Sequence, residues 1–122
     1  MTNEDKQLLL TDLCARLPYN VVVRCTDSDT DYNCFLTTDI LHEIQNGYEY
    51  YDYKPYLRST LSMTEEELYI IESNWAQLKE GNWLYECVDE IATLLNSHHF
   101  DYRGLIEKGL ALEAPKEMYK TE

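Results

Sequence analysis

The chain has 122 residues, 44% hydrophobic and 27% charged, a size and balance typical of one globular domain with its own core. Its 23 acidic and 10 basic residues give a net charge of −13. A field of this sign repels phosphate backbones and anionic lipid headgroups, so it disfavours direct binding to nucleic acid or a membrane and would attract a basic protein partner.

The cellular setting is indicated by what the sequence lacks. No stretch approaches the ~20 apolar residues that span a bilayer, and the N-terminus lacks the layout of a signal peptide. The four cysteines form no C-x-x-C pair and no framework of the kind found in small secreted proteins. We therefore expect a cytoplasmic protein with reduced thiols, no cofactor and no bound metal.

The first half is predicted to begin with a helix over residues 3–17, because Asn3 can cap it and leucines recur at helical spacing before a proline stops it. Tyr19–Cys25 is rich in β-branched residues and is predicted to form a strand. Residues 27–31 have turn-forming chemistry, and Tyr32–Thr37 is predicted to be the returning strand.

A short helix and a third strand are predicted next. The helix is capped by Thr38 or Asp39 and closed by Asn46-Gly47. The strand runs from Tyr48 to Lys54 and is ended by Pro55.

The second half is predicted to be helical. Thr64 and Glu67 fit a capping box, and Gly81-Asn82 separates that helix from a second one near 83–97. Both helices carry an apolar stripe at helical spacing, and we expect Trp75 of the first stripe and Ile91 of the second to be buried where the helices meet the sheet. The stripes are Leu68, Ile71, Trp75 and Leu78 on the first helix, and Leu84, Val88, Ile91 and Leu95 on the second.

These elements predict an α+β fold: a small antiparallel sheet of about three strands, packed against the N-terminal helix and the two helices of the C-terminal half. Residues 100–115 are expected to form an irregular segment packed on the body. The whole chain, 1–122, is predicted to be one domain with an ordered body over about 3–115 and a loose C-terminal tail.

Two clusters carry metal-compatible atoms. Residues 27–31 open like a calcium loop, but Tyr32 and Thr38 stand where that loop needs a glycine and a bidentate glutamate, so an acidic hairpin tip is favoured. His98 and His99 lie near Asp101, but the chain supplies no second ligand pair at zinc-site spacing. No nucleophile, phosphate-cradling or metalloprotease motif is present, so no catalytic residue is predicted.

Cys25 and Cys34 are predicted to face each other if the hairpin is centred between Asp29 and Thr30. Facing residues of an antiparallel pair can approach closely enough for a disulfide. In a cytosolic protein, two reduced apolar cysteines on one face are favoured over the bridge.

The segment 48–56 holds the densest group of the chain's 11 tyrosines. On a strand, successive side chains point to opposite faces, so one face enters the core and the other exposes tyrosines beside carboxylates. Tyrosine is enriched at interface hot spots, which makes this segment our predicted contact surface; the alternative is a sheet covered by its neighbours, with hydroxyls at the rim. The predicted surface comprises Tyr48, Glu49, Tyr50, Tyr51, Asp52, Tyr53 and Tyr56.

Several stretches together carry a resemblance to a known family: DKQLLL (5–10), LCARLPY (13–19), KPYLRS (54–59), SMTEEE (62–67), NSHHFDYRGLI (96–106) and GLALEAP (109–115). The chain resembles a family of small uncharacterised proteins of Bacteroides-type gut bacteria, often associated with prophage or mobile-element regions. The resemblance implies a bacterial cytoplasmic setting and carries over no activity and no site residue.

The sequence therefore predicts a small, acidic, non-enzymatic protein–protein interaction or accessory protein. One alternative is a DNA-mimic inhibitor, whose carboxylates imitate phosphates and occupy a basic nucleic-acid-binding protein. A second alternative is an enzyme or metal-binding protein without a recognised motif.

Overall fold

The computed structural model describes residues 2–47, 51–79 and 85–119, with side chains throughout except at residues 78, 79, 85 and 86. Within these ranges the chain forms four α-helices and four β-strands, so the predicted α+β class is confirmed. The helices are α1 (Asn3–Arg16), α2 (Thr38–Asn46), α3 (Glu65–Lys79) and α4 (Tyr85–Ser97). The strands are β1 (Val22–Thr26), β2 (Asp31–Phe35), β3 (Asp52–Leu57) and β4 (Leu112–Glu113).

The strands form a mixed sheet in the order β2–β1–β3–β4. β1 pairs antiparallel with both β2 and β3, as expected for a three-stranded sheet, whereas β3 pairs parallel with β4 through Tyr56 and Leu57. β4 has only two residues, too few for the alternation by which a strand is recognised in a sequence. The C-terminal segment thus adds an edge strand that the sequence did not predict.

β3 differs from the predicted third strand, because it passes through Pro55 instead of stopping there. Pro55 lies opposite Val23 of β1, and β4 pairs with the other edge of β3 only at Tyr56 and Leu57. Proline is tolerated where its missing N–H faces no neighbouring strand, and no described strand lies beside that edge at Pro55. Residues 48–50, the predicted start of the strand, lie outside the described residues.

The caps of α1 and α2 each lie one position before the predicted residues. Thr2 Oγ1 accepts a hydrogen bond from Asp5 N at 3.0 Å, and Thr37 Oγ1 accepts one from Ile40 N at 3.3 Å. Thr, Asn and Asp are all favourable caps, so a run of them does not reveal which one is used. Gly47 ends α2 as predicted, in the left-handed conformation with φ 70°.

The core lies between one face of the sheet, α1, α2 and the C-terminal segment. β1 alternates half-buried and buried residues, as expected for a strand with one face inward. The C-terminal segment packs on the body as predicted, and Leu105, Leu110 and Ala111 join the core cluster. The core residues are Leu9, Leu13, Val21, Val23, Cys25, Leu36, Ile40, Ile44, Tyr53, Leu57, Leu105, Leu110 and Ala111.

The chain is anchored beyond residue 115, where we expected the ordered body to end. The Tyr119 hydroxyl accepts a hydrogen bond from Val22 N at 2.8 Å and donates one to the Tyr56 carbonyl at 2.7 Å. Its ring stacks on His99, with a centroid distance of 3.9 Å. Residues 116–119 are therefore not a loose tail, because one hydroxyl satisfies backbone groups of both β1 and β3.

α3 and α4 form an antiparallel hairpin. Near its open end, His98 Nδ1 lies 2.6 Å from the Glu67 carboxylate, and near its other end Cys87 Sγ lies 3.6 Å from the Gln77 side-chain oxygen. The predicted capping box is confirmed: Glu67 N donates to Thr64 Oγ1 at 3.2 Å, and Thr64 N donates to Glu67 Oε1 at 2.8 Å.

The predicted burial of Trp75 is wrong, and Ile91, which was also predicted to be buried, is only half-buried. Trp75 is 54% exposed, Val88 53% and Leu68 45%, while Ile71, Ile91 and Leu95 are half-buried; Leu78 and Leu84 lie outside the described side chains. Among the described side chains of the two helices, the buried ones are instead Glu67, Asn74, Cys87 and Leu94. Because the Glu67 carboxylate turns inward to meet Arg58 and His98, α3 is rotated so that its apolar stripe lies beside the buried face.

Candidate functional site

The predicted tyrosine surface is only partly exposed. Tyr53 is buried, and its hydroxyl donates to the Glu43 carboxylate; burial and this carboxylate raise the pKa of Tyr53 well above its usual range. Tyr51 and Tyr56 are half-buried, and Asp52 is exposed. Tyr53 is thus unavailable to a partner. Tyr48, Glu49 and Tyr50 lie outside the described residues.

The acidic tip of the β1–β2 hairpin, residues 27–31, is held by hydrogen bonds and an ion pair within the hairpin. The Asp27 carboxylate accepts hydrogen bonds from Asp29 N at 2.7 Å and Thr30 N at 2.6 Å, and these bonds lower the pKa of Asp27. Asp31 pairs with Arg24 at 2.7 Å. Two of the three carboxylates are therefore engaged within the hairpin. Among the described residues, no group of three His, Cys, Asp or Glu side chains is placed to hold a metal ion.

The histidine pair does not converge on one site. His98 contacts the Glu67 carboxylate, whereas His99 is buried and stacks on Tyr119. The Asp101 carboxylate accepts from two backbone N–H groups of the following segment, at 2.8 and 3.0 Å. These three side chains therefore contact three different sets of partners and do not converge on one point.

Cys25 and Cys34, the two cysteines of the β1–β2 hairpin, lie diagonally rather than opposite each other. Cys25 faces Tyr32, and Cys34 faces Val23, so the predicted register is wrong by two residues. The sulfur atoms approach to 3.3 Å, but Cα atoms on such a diagonal lie about 7–8 Å apart, beyond the usual span of a disulfide. Burial, aided by the hydrogen bond with Cys34, raises the pKa of Cys25 to about 12. Burial therefore favours the protonated form of the Cys25 thiol over the nucleophilic thiolate.

A cluster of polar side chains, Arg58, Thr64, Glu67 and His98, connects the α3–α4 hairpin to the sheet, and we call it the polar joint. Arg58, which follows β3, donates two hydrogen bonds to the Glu67 carboxylate at 2.8 and 2.9 Å, and its guanidinium lies 4.3 Å from the centre of the Phe100 ring. Burial raises the pKa of Glu67, but the hydrogen bonds from Arg58, Thr64 and His98 outweigh it and lower that pKa to about 2. The joint thus holds an ionised carboxylate between β3, the first turn of α3 and the end of α4.

An open groove of about 1040 Å³ lies beside this joint, between the start of α3 and the C-terminal segment. Both carboxylate oxygens of Glu67 are occupied by Arg58, His98 and Thr64. Arg58 also donates to the Ser62 carbonyl at 3.1 Å. Because these groups pair with one another, the role that their geometry supports is attachment of the hairpin to the body.

The most distinctive surface is an apolar face on the hairpin, formed by the two apolar stripes predicted from the sequence. We define the hairpin face as Leu68, Ile71, Trp75, Val88, Ile91 and Leu95. Monomeric proteins expose single apolar side chains routinely, whereas a contiguous apolar patch marks an interaction site. Whether the hairpin face is contiguous depends on whether the two stripes lie on the same side of the hairpin.

Helical geometry places the two stripes on the same side. Leu68 and Trp75 each follow a buried residue of α3, Glu67 and Asn74; on α4, Val88 and Leu95 likewise follow the buried residues Cys87 and Leu94. Each step along an α-helix rotates the side chain by about 100°. The contacts of Glu67 with His98 and of Cys87 with Gln77 place these buried positions where α3 and α4 face each other. In an antiparallel pair, equal rotations from facing positions lead to the same side, so the geometry puts both stripes on one side of the pair.

The outer edge of this face on α3 is acidic. Glu65 and Glu72 lie within one turn of Leu68, at spacings of three and four residues, and both are exposed. The only Lys or Arg between residues 59 and 102 is Lys79. The hairpin face is therefore apolar with an acidic margin. The stripes themselves are visible in the sequence; that the α3 stripe lies beside the buried face follows from the contacts of Glu67 with Arg58 and His98, which are distant in the chain.

Comparison of the chain with protein-family models, with curated proteins and with solved structures finds no match. Within the described residues, none of the helices has the length and apolar character needed to cross a bilayer. The family resemblance stays a prediction.

Proposed function

We propose that this chain is a protein–protein interaction module that binds a protein partner through the hairpin face. The observation that carries the proposal is the exposure of Leu68, Trp75 and Val88 on one side of α3 and α4. Burying an apolar side chain in an interface is favourable by about 1.5–3 kcal/mol, so these exposed residues can contribute binding energy to a complex.

The way in which the hairpin is attached supports the same proposal. The joint at Glu67 fixes one end of α3 and α4 to the sheet through charge-assisted hydrogen bonds. A partner that binds the hairpin face therefore meets a surface that is already ordered, which reduces the entropy lost on binding.

Capture experiments test the proposal. The full chain, a Leu68→Ser/Val88→Ser variant and a Tyr69→Ser control are immobilised and exposed to the same bacterial lysate at low and high salt. Tyr69 is 72% exposed and lies on α3 two positions after buried Glu67, pointing away from the hairpin face. We expect the double variant to retain about tenfold less of the specific partner than the wild-type chain and the control, at both salt concentrations.

Equal capture by all three proteins would show that the hairpin face is not a contact surface. Capture that collapses at high salt and is unaffected by the double variant would favour the DNA-mimic alternative instead, because contacts that replace phosphates are strongly salt-dependent whereas apolar contacts are not.

A further inference from the structure

We infer that the segment bound by the hairpin face is a basic amphipathic helix of the partner, with apolar residues at helical spacing and Lys or Arg along its sides. The inference rests on the proposed function and adds the chemistry of the partner. It is carried by two independent properties of the face, its shape and its charge.

The shape of the face suits a third helix. Ile71 and Ile91 are half-buried and lie closer to the contact between α3 and α4, whereas Leu68 and Val88 stand outside them and are about half exposed. Such an arrangement makes a shallow apolar groove between two ridges. Grooves of this kind take the apolar side of an amphipathic helix, with anchors at i, i+3, i+4 and i+7.

The length of the face sets the length of the bound segment. Leu68 and Trp75 are seven residues apart, which corresponds to about 10 Å along α3. A partner helix of three to four turns would cover this distance and leave its ends in solvent, as is typical of helix-in-groove complexes.

The charge of the face selects a basic helix. Glu65 and Glu72 line the outer edge of α3, and the chain as a whole carries a net charge of −13. Lys or Arg residues flanking the apolar anchors would meet this edge and be steered toward it. A second copy of this chain would instead bring another acidic surface toward Glu65 and Glu72, and like charges in an interface oppose association.

Defined peptides test the inference on the full chain. The probe is a fluorescein-labelled 18-residue peptide of leucine and lysine with leucine at helical spacing, compared with a scrambled peptide of identical composition and a leucine–glutamate peptide of the same pattern. Affinity is measured by fluorescence anisotropy at low and high salt. We expect the patterned basic peptide to bind about tenfold more tightly than either control.

Four variants locate the binding on the molecule. Val88→Ser removes an apolar anchor and is expected to weaken binding about tenfold at both salt concentrations. Glu72→Gln is expected to weaken it about two- to fivefold at low salt only, because the edge charge is exposed and screened. Tyr69→Ser and Asp89→Asn are the matched controls, each two positions after a buried residue and outside the face, and are expected to stay within about twofold of the wild type.

The results that overturn the inference are distinct from those that overturn the proposed function. Equal binding of the patterned and scrambled basic peptides would show attraction by charge alone, and a Val88→Ser variant that binds the patterned peptide normally would place the contact elsewhere. If the wild-type chain self-associates in sedimentation experiments and Val88→Ser restores the monomer, the occupant is a second copy; the basic helix is then wrong although the face remains an interface.

Discussion

Replacing Asp12 by alanine is expected to lower the free energy of unfolding by about 3–5 kcal/mol. Asp12 and Arg16 are both 0% exposed, and the Asp12 carboxylate accepts hydrogen bonds from Arg16 at 2.8 and 3.0 Å and from Arg103 at 2.8 Å. Without Asp12, the buried charge of Arg16 loses its counter-ion, and the desolvation of that charge is no longer compensated.

Urea unfolding curves measure this cost, with Glu4→Ala as the control on the same helix. Glu4 is exposed in the first turn of α1, so its loss should cost no more than about 1 kcal/mol through the helix dipole. The double substitution Asp12→Leu/Arg16→Met should recover much of the stability lost in Asp12→Ala, because it removes the stranded charge. A cost for Asp12→Ala no larger than that for Glu4→Ala would contradict the assignment of this ion pair to the interior.

Lowering the pH from 7 to 5 is expected to cost about 2 kcal/mol of stability through His99 alone. Burial, followed by the positive charges of Arg16, His98 and Arg58, lowers the pKa of His99 from its ordinary 6.5 to about 4. Between these two values the unfolded chain binds a proton that the folded chain does not, so stability falls as the pH falls through this window. The full loss, about 3 kcal/mol, is reached once the pH has fallen below 4.

Glu67 acts in a lower window. Its pKa is lowered from 4.5 to about 2, so its contribution is complete above pH 4.5 and is lost as the pH falls toward 2, by about 3 kcal/mol in total. The interval from pH 7 to pH 5 therefore reports on His99 with little contribution from Glu67.

The pH prediction is checked by urea unfolding of the wild type, His99→Asn and His42→Asn at pH 7 and pH 5. His99 has a φ of 65°, a conformation that asparagine tolerates better than most residues. We expect the difference between the two pH values to shrink by about 2 kcal/mol in His99→Asn and to persist in His42→Asn, since His42 is exposed on α2. An unchanged difference in His99→Asn would assign the pH dependence to other groups.

Features set by local sequence were predictable. The Thr64–Glu67 capping box spans four residues, and its bonds form as expected. The turn-forming chemistry of residues 27–31 likewise placed the β1–β2 hairpin, although not its exact centre, because several of these residues are equally suited to the turn.

Features set by distant partners were not predictable. The rotation of α3 depends on Glu67 meeting Arg58 and His98, and His98 lies 31 residues away. An apolar stripe at helical spacing indicates only which residues share a face; which face is buried depends on these tertiary contacts. Asp12 and Arg16 were missed for the same reason, since an acid and a base four residues apart are typical of an exposed helix surface.

The stability of face variants tests most directly the central claim that the hairpin face is surface available to a partner. Urea unfolding of Leu68→Ser and Val88→Ser is compared with that of Leu13→Ala, whose side chain is 0% exposed. We expect each face substitution to cost no more than about 1 kcal/mol and Leu13→Ala to cost about 2–5 kcal/mol. If the face substitutions destabilise the protein as much as Leu13→Ala does, the hairpin face belongs to the core, and the proposed contact surface does not exist.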